Sequence, residues 1–447
     1  LAYKRGSKRI KDEPMQSGRF TIEKLGEAKF PSPIERLEGQ TFVNDSERLL
    51  YSPHLLAATE TIKSGKEPEG FEIAGPRSNI FFNPPKTKAA IVTCGGLCPG
   101  INAVIRGIVM QLWYRYNCRN VVGIRYGYGG LAADAEPFMT LEPDAVTSIH
   151  TAGGTILGSS RGAPTTKEIV DSLAKQKIDI LFTIGGDGTM RGASAIWQEI
   201  KKRQLNISIV SIPKTIDNDI AFVRRTFGFE TAVMEASKAI HSAHIEATGV
   251  PYGIGLVKLM GRHAGYIAAN ATLANGHANF CLIPEVPFKL EGKKGLFELL
   301  EERLSLRRHA VIVAAEGAGQ YFFDGKKGDA DASGNQSLQD IGVFLKKKIN
   351  DYFASRSLPV VTKYIDPSYI IRSQPANSND QLYCARLAQN AVHAAMAGKS
   401  GLLIGYWHGE MTHVPTKALE NRNQNINPSG ELWFNVLELT GQPQEIG

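Results

Sequence analysis

Two short stretches carry residues whose types and spacing suit phosphate chemistry. In "ILFTIGGDGTMRG" an apolar run ends in Gly185, Gly186, Asp187, Gly188 and Thr189. Glycines at such a place let the backbone approach an anion, and the free N–H groups of a following helix start supply positive potential. Asp187 adds a hard carboxylate beside phosphate oxygens, the usual protein share of a Mg2+ site; the structural alternative is a helix-capping Asp. "CGGLCPGIN" repeats the glycine pattern at Gly95 and Gly96, with Pro99 suited to a helix start. In "PKTIDND", Asp217 and Asp219 lie two apart after a run that ends in proline. On extended backbone both carboxylates point to one side. One could accept a hydroxyl proton while the other orients a metal or an arginine, the division that phosphoryl transfer to an alcohol requires. Asx-rich turns also arise for structural reasons alone, so this motif by itself leaves both readings open.

These groups need a frame. Apolar runs recur at 89–94, 120–124, 179–186, 207–213, 252–258, 309–317 and 401–407, and read as buried strands. Between them lie segments of helical period, such as "INAVIRGIVMQLWYRY" with apolar residues at 101, 104, 105, 108, 109 and 112, and "TTKEIVDSLAKQK". The alternation predicts an α/β fold with parallel-rich sheets flanked by helices, and the number of strands argues for two sheets. Ligands then sit beyond the carboxyl ends of the strands. Five runs end there in a polar or glycine-rich signature: "CGGLCPGIN", "GGDGT", "PKTIDND", "MGRHAG" and "EGAG". Residues 1–85, with weak periodicity and several prolines, read as an N-terminal extension around a core that begins near Lys86; the polar stretch 323–337 reads as a flexible insertion.

Composition excludes several classes. The chain has 447 residues, 43% hydrophobic and 21% charged, which is ordinary for a globular protein. No apolar segment approaches the ~20 residues that span a bilayer, and the start lacks a signal-peptide core, so no membrane association and an intracellular location are expected. Five cysteines form an odd, sparse set, which favours free thiols over a disulfide framework. The net charge of +7 is spread among acids without a nucleic-acid motif, so a phosphorylated small substrate accounts for it and no nucleic acid is expected. The basic start from Lys4 to Lys11 reads as a solvated arm.

Together "GGLCPGIN", "GGDGT", "PKTIDND", "MGR", "AAEG" and "DPSYIIR" occur in the order and spacing of the 6-phosphofructokinases, and the chain resembles that family over residues 86–440. The resemblance implies two Rossmann-like lobes: a nucleotide lobe at 86–230 completed by 376–425, and a fructose 6-phosphate lobe at 231–375 completed by 426–447. It implies phosphoryl transfer from ATP to the 1-hydroxyl of fructose 6-phosphate, with Mg2+, in a homotetramer under allosteric control. By the same resemblance Asp217 is the general base, Thr215 touches the transferring group, and Arg262 and Arg161 neutralise its charge. Asp187 holds Mg2+, and Asp219 supports base or metal. Met260, Gly261 and Glu316 resemble sugar contacts, with Ile216 and Lys363 also on the substrate side, and Tyr369 and Arg372 resemble the 6-phosphate pocket. Gly95, Arg161, Gly162, Gly186, Asp187, Gly188 and Thr189 resemble the nucleotide site, with Arg125 near the adenine.

The departures concern the donor. Arginines expected nine residues before Arg262 and nine before Arg372, which in the bacterial enzymes cross a subunit interface, are Gly253 and Lys363 here. Lys214, Lys258 and Tyr369 point to the branch that includes the pyrophosphate-dependent enzymes and the plant and protist forms. Those pyrophosphate enzymes carry aspartate after "GGD", whereas this chain has Gly188, which leaves room for a nucleotide α-phosphate and removes a repelling charge; ATP is the expected donor and pyrophosphate the alternative. NAD kinases and related lipid kinases share "GGDGT" but lack the remaining set. A non-catalytic sensing subunit would not need Asp217, Arg262 and Asp187. Protist relatives place the compartment as cytoplasmic or glycosomal.

Overall fold

A computed structural model describes residues 18–34, 42–160, 162–323, 337–420 and 422–447. The basic start, Arg161 and nearly all of the 323–337 insertion lie outside the described residues. All seven apolar runs form strands, in two sheets. The larger has nine strands, and its centre is five parallel strands in the order Leu402–Trp407, Ser208–Pro213, Ile180–Gly185, Lys88–Thr93 and Asn120–Ile124. Its flanks are antiparallel: Met139–Thr140 on one side, and on the other Glu410–Pro415, Gly70–Ile73 and Arg48–Leu50. The second sheet is parallel throughout, in the order Phe280–Leu282, His309–Ala315, Gly253–Leu259 and Val361–Ile365.

Period-two alternation sends successive side chains to opposite faces, so a strand buried on both sides must be apolar along its whole length. Along 88–93, Ala89 and Ile91 pack with the helices Ile101–Arg115 and Ser378–Met396. Ala90 and Val92 pack with Thr166–Lys175 and Asp187–Lys202. Ile101, Val104, Ile105, Ile108, Val109 and Leu112 are all buried, as their spacing predicts. The helix 166–175 starts where the sequence can cap it: Thr165 accepts from the Glu168 N–H while the Glu168 carboxylate takes the Thr165 N–H. In the second sheet, Val257, Leu259, Val311 and Val313 share one core with the first sheet through the helix Phe229–Thr248. Their neighbours Ile254, Leu256, Ala310 and Ile312 pack on Leu296–Arg307 and Ile341–Ser355.

The extension joins this frame. Its strand 70–73 pairs with 410–415, and buried charges fasten it there. Lys399 Nζ lies 2.6 Å from Glu72 and 2.7 Å from Asp45, Arg77 bonds both acids, and His413 Nδ1 is 2.9 Å from Glu72. Burial alone would raise the Glu72 carboxyl, but His413 and Lys399 hold it down to about 2. Burial drives His413 down to about 4, so the imidazole is neutral near pH 7. All five cysteines are free and buried. Among the described residues no helix is long and apolar enough to cross a membrane.

Candidate active site

Three strands of the first sheet end side by side, and each delivers one part of a single cleft. After 88–93 the loop from Cys94 to Gly100 leads into the helix 101–115. After 180–185 the chain passes at once into the helix 187–202, with Gly186 as its N-cap. Asp187, Gly188 and Thr189 are therefore the first three helical residues; the Thr189 N–H donates to Gly186 O at 2.9 Å, those of Asp187 and Gly188 precede the helix's own bonds, and Asp187 stands at the positive end of its dipole. Gly185 cannot be anything larger: a Cβ there would stand 2.0 Å from Thr189 Oγ1. A cleft of about 400 Å³ is lined by Gly95, Gly96, Leu97, Ser159, Ser160 and Arg372.

The third strand, 208–213, ends in the acid turn. Lys214 is buried, its N–H donating to Gly185 O and its Nζ donating to Gly96 O at 2.6 Å, so one lysine ties both glycine loops together. Burial lowers its pKa. The extended backbone expected between the two acids is not found, because Asn218 is left-handed at φ 54°. Its Oδ1 accepts the Thr226 N–H at 2.9 Å, and Thr226 Oγ1 donates to Thr215 O at 2.7 Å. Asparagine tolerates this conformation, and the clasp repays its strain. Thr215 Oγ1 accepts the Asp217 N–H at 3.0 Å.

The acids nonetheless remain neighbours. Burial raises the Asp217 carboxyl, Asp219 and Glu316 raise it further against Arg262 and Lys214, and it titrates at about 7 although part of its surface opens to the cleft. Burial raises Asp219 as well, and Asp187 adds to that shift. Asp187 Oδ2 pairs with Arg191 at 2.5 Å.

The second sheet contributes the opposite wall. After 253–259, Met260, Gly261 and Arg262 make a turn in which Arg262 is left-handed at φ 49°. Glu316, just past 309–315, holds it: Oε1 accepts from the Arg262 N–H at 2.8 Å and from the Gly261 N–H at 3.2 Å. Following 361–365, the helix Ser368–Ser373 carries Tyr369 and Arg372, with the guanidinium 4.7 Å from the Tyr369 ring centroid. Arg372 also approaches the glycine loop, since a Cβ on Gly96 would lie 3.3 Å from its Nη1. Lys258 anchors this corner through Asp366 at 2.8 Å and Asp340 at 2.9 Å.

The structure therefore gathers Gly95, Asp187, Lys214, Thr215, Asp217, Asp219, Arg262, Glu316 and Arg372 about one cleft, with Ile216 buried beneath the turn. Two residues are engaged with other acids. Lys363 sits mid-strand opposite Gly255 and pairs with Glu246 at 3.4 Å. Arg125, beyond 120–124, pairs with Glu136 at 3.2 Å. Gly162 is exposed at φ 88°. Sequence reasoning missed Ser159, whose Oγ donates to Gly95 O at 2.5 Å, and Thr226. The "GSS" run before Arg161 was a signal for the first; nothing in the spacing marks the second.

Residues 88–395 match the family model described as phosphofructokinase. The chain is 49% identical to the ATP-dependent 6-phosphofructokinase of Borreliella burgdorferi, covering 97% of this chain and 98% of that one. It is 43% identical to the enzyme of the same name from Amycolatopsis methanolica, over 95% of each chain, and 44% identical to that of Trypanosoma brucei brucei, over 94% and 86%. The solved structure of a pyrophosphate-dependent phosphofructokinase from Marinobacter aquaeolei shares the fold, with a TM-score of 0.66 over 79% of this chain and 91% of that one at 20% identity. With a family model that matches well over half of its length and relatives this similar along nearly all of it, the chain belongs to the phosphofructokinase family.

Proposed function

We propose that the cleft transfers the γ-phosphoryl group of ATP to the 1-hydroxyl of fructose 6-phosphate, giving fructose 1,6-bisphosphate and ADP. The observation that carries this reading is the acid turn: a carboxyl titrating at about 7 stands beside a second acid, an arginine and a lysine, next to two glycine loops. Asp217 takes the proton of the 1-hydroxyl as its oxygen attacks phosphorus, and the bond from phosphorus to the β-phosphate oxygen breaks. Thr215, Arg262 and Arg161 meet the charge that moves during transfer. Arg372 and Tyr369 hold the 6-phosphate. Glu316 keeps Oε1 on the turn and offers Oε2 to a sugar hydroxyl, beside Met260 and Gly261. Backbone N–H groups at Asp187 and Gly188, the Thr189 side chain and the loops at Gly95 and Gly186 receive the donor phosphates, with Gly162 and Arg125 on the nucleoside side.

Mg2+ fits a site with one carboxylate from Asp187, a second acid at Asp219 nearby, and the remaining ligands from phosphate oxygens and water. Bound there, the ion would offset the charge of the β- and γ-phosphates. Lys363 serves a 6-phosphate only across a contact between copies, which belongs with a homotetramer. The lobes divide at 86–230 with 376–425 and at 231–375 with 426–447; the strand 402–407 in the first sheet and the helix Glu431–Thr440 beside Tyr266–Asn275 support that division.

Gly188 and the names of the relatives favour ATP, while Lys214 keeps pyrophosphate as the second reading. Turnover of fructose 6-phosphate with each donor at fixed Mg2+ decides between them. Product formed from pyrophosphate alone would overturn the donor, and no product from either would overturn the reaction.

A further inference from the structure

The stretch from Ile220 to Arg225, between the acid turn and its Thr226 clasp, contains a second anomaly. Phe222 is left-handed at φ 61°. For a bulky residue that conformation is strained and persists only where the surroundings over-determine it. Those surroundings come largely from the N-terminal extension. Phe20 meets the Phe222 ring edge-on at 5.3 Å, Tyr51 meets it edge-on at 5.9 Å, and Phe71 lies at 6.1 Å. Arg19 covers the ring with its guanidinium at 4.6 Å, and Trp407 stacks behind Tyr51 at 5.6 Å. Phe20, Phe71 and Phe222 are all buried. Aromatic pairs in these geometries add stabilisation beyond that of burial, and three of them together offset the strain.

We propose that the extension is a working part of the active site: through Phe20, Tyr51 and Phe71 it holds Phe222, and through Phe222 it fixes the turn that bears Asp217 and Asp219. Phe222 is a positioning residue. The clasp closes the loop from Thr215 to Thr226 at its neck. Beyond the acids, the Gln424 N–H donates to Asp219 O at 2.8 Å, Ile220 bridges to Asn423, and the Arg224 N–H donates to Tyr406 O at 3.1 Å. Between those ties the stretch from Ala221 to Val223 is held by packing, and Phe222 is its anchor on the extension. Undocking the extension would free that stretch and loosen the ties on either side of it, so the acid turn is best ordered while the extension is seated. Ordinary core packing would not need a left-handed phenylalanine five residues beyond the base.

The inference rests on Asp217 as the base, so its test needs a readout apart from catalysis. In the full chain, Phe20→Ala, Phe222→Ala and the double variant are compared with Ile349→Ala, which weakens the second lobe away from the cleft. Expected for Phe20→Ala is a fall of about tenfold or more in kcat with the ATP KM within about twofold, the pattern of a misplaced reacting group. Amide exchange over 215–226 should quicken while 187–202 stays protected. The acid limb of the kcat/KM profile should move below 7 toward the usual carboxylate range as water reaches the turn. The double variant should be no slower than Phe222→Ala alone, because both act through one contact. Ile349→Ala should lower the melting temperature and leave all three readings in place. The proposal is overturned if Phe20→Ala melts earlier yet keeps wild-type kcat, pH limb and exchange at 215–226, or if the two losses multiply. Should Phe20→Ala not fold, Phe20→Leu is read in the same way. Wild-type turnover by Asp217→Asn would instead overturn the base, and the exchange at 215–226 would still judge the extension.

Discussion

Gly188→Asp separates what the fold requires from what the donor requires. Gly188 is the second residue of the helix 187–202 with a negative φ, and a Cβ there would meet nothing nearer than the mobile tip of Arg191 at 3.9 Å. Replacing glycine in a helix recovers about 0.5–1 kcal/mol of backbone entropy. An acid in the first turn adds about 0.3–1 kcal/mol from the helix dipole. Crowding two acids beside one Arg191 takes back part of both gains. The fold should therefore be unchanged or slightly more stable, with a melting shift of no more than about 4 °C. The donor experiences something else. A carboxylate about 5 Å from an α-phosphate, at an effective dielectric constant near 20, is repelled by about 3 kcal/mol, or roughly two orders of magnitude in kcat/KM. Pyrophosphate has no α-phosphate, and Lys214 is already in place. The assay is kcat/KM for ATP and for pyrophosphate in both proteins, beside a thermal melt. A folded variant that keeps ATP activity within about threefold would refute the argument that residue 188 leaves room for the nucleotide.

Asp217→Asn should lose about a hundred- to ten-thousand-fold in kcat with the fructose 6-phosphate KM little changed, measured at saturating ATP. In the wild type, kcat/KM should rise with pH through about 7 as this carboxyl loses its proton. Its pKa is raised on folding, so it favours the native state at low pH and that contribution is lost as pH rises through 7; against the wild type, the Asn variant should gain stability between pH 5 and pH 8 in paired melts. Arg372→Ala should raise the fructose 6-phosphate KM far more than the ATP KM, with some loss of kcat because remote binding energy aligns the 1-hydroxyl. An unchanged sugar KM would move the 6-phosphate pocket elsewhere. Lys399→Met removes one of the two cations that Glu72 and the half-exposed Asp45 share and leaves Arg77 as the other, so it should cost about 1–3 kcal/mol in denaturant unfolding. The wild-type network should fail in acid. Glu72 is lowered to about 2, so its contribution is present above its ordinary range and fades as pH falls from about 4.5 toward 2.

What the chain reveals of its fold depends on how deeply each strand is buried. The seven runs legible in sequence are those covered on both faces, which must be apolar throughout. The strands that were not read are short or lie at edges. Arg48–Leu50 and Gly70–Ile73 flank the large sheet, Phe280–Leu282 has three residues, and Val361–Ile365 is exposed or half-buried along its length. Glu410–Pro415 is buried for five of its six residues, yet it interleaves Thr412 and His413 with its apolar positions. His413 is there because Glu72, far away in sequence, needs a partner. No local pattern contains that reason, and this is why the extension read as a wrapping when two of its strands complete the sheet.

The site divides along the same line. Glycine before a helix start and acids after a strand are local demands, set by how closely backbone can approach phosphate, so Gly95, Asp187 and Asp217 stand out as candidates from their neighbours, although the role of Asp217 came from the family resemblance and not from its own motif. The state of those groups is not local. Asp217 titrates near 7 because the fold buries it beside Asp219 and brings Glu316 from the second sheet, Arg262 is aimed by that same Glu316, and Lys214 commits its ammonium to Gly96. The turn itself departs from the extended backbone that the spacing of its acids suggests, since Asn218 answers to Thr226. A motif thus names the atoms that can react, while residues tens or hundreds of positions away decide their charge and aim. A substitution at Thr226 should accordingly alter the pH dependence and the rate without touching a single residue that the motifs made visible as acid or phosphate loop.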